Sequence, residues 1–115
     1  MTVEERDKTI RITIDKCMRV LKEKAEGYST DEDVLHNFRV AAGLQGCTVT
    51  QALAGMMTKH TVSVYDMINS GQSYAPAVWD EKIGDLINYL LLLTATKSCS
   101  QRVRFRRVKE SRSAV

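Results

Sequence analysis

The 115-residue chain holds one proline, six glycines and three cysteines, and its longest strongly apolar stretch runs only from residue 89 to 93. Each scarcity closes a class. A stretch that short falls well below the roughly 20 apolar residues that cross a bilayer, so no membrane partner is expected. Cys17, Cys47 and Cys99 are odd in number, far apart and in no CxxC pair, which argues against a disulfide framework or a thiolate metal centre and suits a reducing cytoplasm. The opening MTVEERDKTIRITIDKC has neither the basic start nor the apolar middle of a secretion signal. There is no Walker loop, dinucleotide fingerprint, HExxH or recognisable nucleophilic triad.

What is present is a 43% hydrophobic, 27% charged composition, enough to argue against wholesale disorder. The length fits one compact domain and excludes a second enzyme-sized one. A core this small gains from a partner subunit, so a homo-oligomer is expected. The net charge of +3 is unevenly placed: residues 1–96 carry ten basic and thirteen acidic side chains, residues 97–115 seven basic and one acidic. The sequence therefore divides into a helical domain, 1–96, and a basic C-terminal tail, 97–115. The RVRFRRV run in that tail suits nucleic-acid contact or a solvated extension. Phe105 is its one aromatic, a weak basis for base stacking.

Hydrophobic spacing predicts four helices and an all-α, small four-helix bundle-like domain completed by dimer or higher-order packing. The first spans residues 3–26, with Ile10, Ile14, Cys17, Met18 and Leu21 inward. A second, over 34–44, follows Ser29 or Thr30 as cap and turns Leu35, Phe38 and Ala42 inward. The third covers 51–68, capped by Thr50, with Leu53, Met56, Met57, His60, Val64 and Met67 inward and Gly55 allowing close packing. The fourth, over 78–95, is apolar round much of its girth and is expected to be central or covered by another subunit.

On that fourth helix Glu81, Asp85 and Asn88 lie four and three residues apart, on one face. Oxygen donors at this spacing suit a hard divalent ion bridging phosphates, and equally a solvated helix face. Glu23, Glu26, Asn37, His36, His60 and Asp66 are the groups on other helices that can complete such a shell, while Lys59 suits a phosphate. His60 reads equally as a satisfied interior histidine, and Asn37 as a helix crosslink. Tyr28 and Trp79 read as packing residues, and the loop 70–76 as a connector.

At Lys24, Tyr28, Asn37-Phe38, Lys59-His60, Asp66 and the run Trp79 to Leu90 (WDEKIGDLINYL), the chain resembles the phage-associated nucleotide modification associated domain family. That family is distantly similar to MazG-like all-alpha nucleoside triphosphate pyrophosphohydrolases. The likeness covers roughly residues 20–95. It implies a nucleotide or modified nucleotide as ligand and, if the chain is phage-encoded, a bacterial host cytoplasm. It also implies Mg²⁺ or Mn²⁺ on Glu23, Glu26, Asp66, Glu81 and Asp85. The MazG-like pattern is KExxD, whereas this chain reads Glu81-Lys82-Ile83-Gly84-Asp85, so the carboxylate spacing differs.

Together these readings point to Mg-dependent nucleotide handling, with cleavage of a nucleoside triphosphate to monophosphate and pyrophosphate. Glu81, Asp85 and Glu26 take the catalytic roles, and Asn37, Lys59, His60, Asn88 and Tyr89 bind the nucleotide. A non-catalytic nucleotide-binding module and a phage assembly or structural protein are the alternatives.

Overall fold

Two Thr-x-x-Glu/Gln sequences set where long helices begin. In the computed structural model, α1 (Val3–Tyr28) follows Thr2, whose Oγ1 accepts the Glu5 N–H at 3.1 Å while Glu5 Oε2 accepts the Thr2 N–H at 2.8 Å. The same reciprocal box opens α3 (Val49–Ser70): Thr48 Oγ1 accepts from Gln51 N, and Gln51 Oε1 accepts from Thr48 N. The expected cap, Thr50, sits inside the helix instead. Thr50 has Leu53 three residues on, whereas Thr48 has Gln51, the partner a capping box requires.

Between them lies α2 (His36–Gln45). Asp33 supports its start, accepting the Leu35 N–H at 3.1 Å and pairing with Arg39 at 2.8 Å. Gly46 ends the helix at φ +65°, and the Cys47 N–H reaches back to the Ala42 carbonyl at 3.0 Å. Only a residue without a Cβ takes that left-handed turn cheaply. Gly71, at φ +67°, ends α3 likewise.

The fourth helix, α4 (Pro76–Ser113), starts at the lone proline, whose missing N–H costs nothing in a first turn. It does not stop near residue 95. No proline or glycine follows Gly84, so nothing breaks the helix where the basic segment begins, and the expected boundary at 96/97 falls within continuous helix. Arg106, Arg107, Val108 and Lys109 are exposed on this extension.

The fold is all-α and bundle-like, with no strand among the described residues. The structure describes the backbone of residues 1–28 and 33–113, and the side chains of residues 1–24, 33–98 and 106–109. The expected caps Ser29 and Thr30 lie outside the described residues, as do the side chains of Glu26, Tyr28 and Phe105.

Pairing is serial. Helix α4 packs against α1 on one side and α3 on the other, and α2 packs on α3. Leu53 is wholly buried, with Ala42, Ala52 and Met67 beside it in the buried set, so the apolar centre lies on the α2/α3 side. Among described α1 side chains only Cys17 is buried. Ile10, Ile14 and Met18, expected inward, face solvent because α1 meets its neighbour along the Cys17 side and no described residue covers the rest of its apolar face. At Gly55 nothing comes near a would-be Cβ, so that glycine opens space instead of admitting a close neighbour. No described helix is long and apolar enough to cross a membrane.

Candidate functional site

Helical spacing aims two polar rows at each other. On α4, Glu81, Asp85 and Asn88 share a face; on α1, Lys16, Glu23 and Lys24 recur at helical intervals toward it. The rows enclose a groove of about 680 Å³ whose walls also include Arg19, Cys17, Asp80 and Gly84. This volume lies in the range of small-molecule sites.

Besides a Lys24–Asp85 ion pair, two contacts hold the walls together. Lys16 Nζ stands 3.5 Å from Asp80 Oδ2 at the exposed edge. Deeper, Cys17 Sγ lies 3.9 Å from the Gly84 carbonyl oxygen, and a Cβ added at Gly84 would stand 3.9 Å from that sulfur. Burial, and secondarily the Asp85 carboxylate, push the Cys17 thiol above its ordinary pKa of 9.0, so it stays neutral.

Asn88 is the outlier. It is 7% exposed, lines the groove, and its Oδ1 has no hydrogen-bond partner among the described residues. An amide oxygen left so costs about 1–3 kcal/mol. A ligand donor or a hard cation in the groove would remove that cost.

Asp85 stands between this groove and a second. Its Oδ1 lies 3.7 Å from Lys24 Nζ, and its Oδ2 lies 3.8 Å from His60 Nδ1. These are ion-pair distances, too long for close hydrogen bonds. Beyond His60 a groove of about 540 Å³ opens between α3 and α4, lined by Lys59, His60, Tyr89, Gln45 and Met56, with Gly55 leaving room at its wall. The His60 and Tyr89 rings lie 4.8 Å apart at 31°, and Phe38 meets Tyr89 edge-on at 6.3 Å. His60 is therefore neither a plain core residue nor free: it is wedged between a tyrosine ring and a carboxylate.

The sequence-derived candidates thus separate into two neighbouring sets. Glu23, Glu81, Asp85 and Asn88 line the first groove; Lys59, His60 and Tyr89 line the second. Asn37 and Asp66 are exposed and line neither groove, and the Glu26 side chain lies outside the described residues. The groove carboxylates are oxygen donors of the kind Mg²⁺ takes. Among the described residues, however, no three His, Cys, Asp or Glu side chains converge into a ready shell.

Sequence reasoning missed Lys16, Arg19 and Asp80, and gave Gly84 no packing role. The signal was available in part, since Lys16, Arg19 and Glu23 stand three and four apart on α1. What was missing was which face of α1 meets α4. No known protein family, curated protein or solved structure matches the chain.

Proposed function

We propose that this chain binds a nucleoside triphosphate in the α1/α4 groove and cleaves it, with Mg²⁺, to a monophosphate and pyrophosphate. The observation that carries the reading is the buried, unpartnered Asn88 Oδ1 inside a groove walled by both cations and carboxylates. Lys16, Arg19 and Lys24 supply charge for phosphate oxygens. Asn88 accepts a hydrogen bond from the bound nucleotide and fixes its depth. Glu23, Glu81 and Asp85 would hold the metal, which commonly takes one or two protein carboxylates plus substrate phosphates and keeps its waters. When bound, Mg²⁺ neutralises phosphate charge and lowers the pKa of a water. His60 and Lys24 keep Asp85 turned between the grooves, and Tyr89 with Lys59 offers a ring and a cation next door.

Product analysis over standard and modified nucleoside triphosphates, with Mg²⁺, Mn²⁺ and chelator, tests the reaction. The expected result is metal-dependent pyrophosphate and monophosphate, abolished by Glu81→Gln and Asp85→Asn. Activity unchanged in both variants sinks the metal assignment.

Asp85 already stands beside Lys24 and His60, and that favours one second reading: a nucleotide-binding module without hydrolysis. Saturable binding with no phosphate release selects it.

A further inference from the structure

The chain exposes far more surface than its mass warrants. A folded monomer of 13.0 kDa exposes about 6,300 Å², whereas this one exposes 9254 Å². Its radius of gyration is 18.0 Å, against roughly 13 Å for a compact chain near this length. Part of the excess is the C-terminal extension of α4. Exposed large apolar side chains occur on every helix, and α1 carries five of them, Val3, Ile10, Ile12, Ile14 and Met18.

Ile10, Ile14 and Met18 succeed one another at four-residue steps and are 53%, 39% and 58% exposed. Each step advances about 40° round a helix, so the three form one stripe, and Val3 extends it toward the N-terminus. Its opposite edge merges with Cys17, where α1 turns to α4. Among the described residues nothing covers this stripe.

Charge selects the occupant. Arg11 and Asp15 each follow a stripe isoleucine by one residue, lie along the same edge, and are exposed without an ion-pair partner among the described residues. If a second α1 lies antiparallel with Ile14 facing Ile14, Ile10 meets Met18 of the second copy. Arg11 then falls beside Asp15 of the second copy, and the reverse pair forms by symmetry. The stripe and its edge are complementary to themselves, which is what a two-fold interface requires.

We infer that α1 pairs antiparallel with α1 of a second copy of this chain, through Ile10, Ile14 and Met18, with reciprocal Arg11–Asp15 ion pairs. This inference is independent of the nucleotide reading.

Sedimentation equilibrium on the full chain tests it, with three sets of variants. Wild type should be dimeric through the micromolar range. Ile14→Asp should be monomeric with unchanged helix content by circular dichroism. Arg11→Asp should weaken the dimer by roughly tenfold, and adding Asp15→Arg should restore it. Should Ile14→Asp fail to fold, Ile14→Cys decides: it should form a disulfide-linked dimer under mild oxidation that the unsubstituted chain does not. A wild-type monomer at near-millimolar concentration overturns the inference. So does a dimer indifferent to Ile14→Asp, or one that Ile14→Cys fails to crosslink.

Discussion

The two sides of α4 are built on different terms. Toward α3 it meets the apolar centre around Leu53 and Met67, with a boxed and glycine-ended helix across from it. Toward α1 it meets a row of charges and one buried thiol, and its own Asn88 turns there an amide oxygen with no partner among the described residues. The first side is organised for burial, the second for a guest. One helix thereby carries both the stability of the fold and the chemistry of the groove.

The sharpest contrast should come from truncation. Leu53→Ala is expected to cost about 2–5 kcal/mol in denaturant unfolding, whereas Cys17→Ala across the other interface should cost nearer 1 kcal/mol. Equal losses would erase the distinction between the two sides.

Asn88→Leu sharpens it further, because a site kept for a ligand is a site poorly optimised for folding. The substitution fills similar volume and removes the orphaned oxygen, so the ligand-free chain should gain about 1 kcal/mol while nucleotide binding is lost. A destabilised variant would mean that Asn88 has a structural partner.

The two capping boxes make a matched pair. Thr48→Ala should lower global stability by about 1 kcal/mol. Thr2→Ala, at the outer end of a helix with one buried side chain among those described, should chiefly increase local fraying, read as faster amide exchange over the first turn of α1.

The smallest effect concerns Cys17. Its folded pKa is raised, so its contribution to stability is complete at neutral pH and is lost as pH climbs past 9.0 toward the folded value. Alkylation should accordingly reach the half-exposed Cys47 well before the buried Cys17. Equal labelling rates at pH 8 would show that the α1/α4 seam opens freely.

Much of the fold was legible because periodicity reports local order. The inward faces of α2 and α3 could be read from Phe38, Ala42, Leu53 and Met67, and Pro76 marked the next start. The far end of α4 was misjudged because composition changes at residue 97 while helix propensity does not. Charge is a property of side chains, but a helix ends only where the backbone is given a reason to end. The α1 face was misread for a different cause: spacing shows that Ile10, Ile14 and Met18 share a stripe, not what covers it. Within the candidate site, Glu81, Asp85 and Asn88 followed from spacing on one helix. Their opposition to Lys16, Arg19 and Glu23, and the place of Asp85 between Lys24 and His60, depend on how three helices dock.

Amide and side-chain chemical-shift mapping of the isotopically labelled chain, titrated with a Mg²⁺-bound nucleoside triphosphate, tests the groove most directly. A nucleotide held by Asn88 should shift the Asn88 side-chain amide, Gly84, Asp85 and Lys24 together and saturably. In Asn88→Leu the shifts of Gly84, Asp85 and Lys24 should be lost. Saturable shifts confined to residues outside the α1/α4 groove, or none at all, would contradict the assignment of that groove as the nucleotide site.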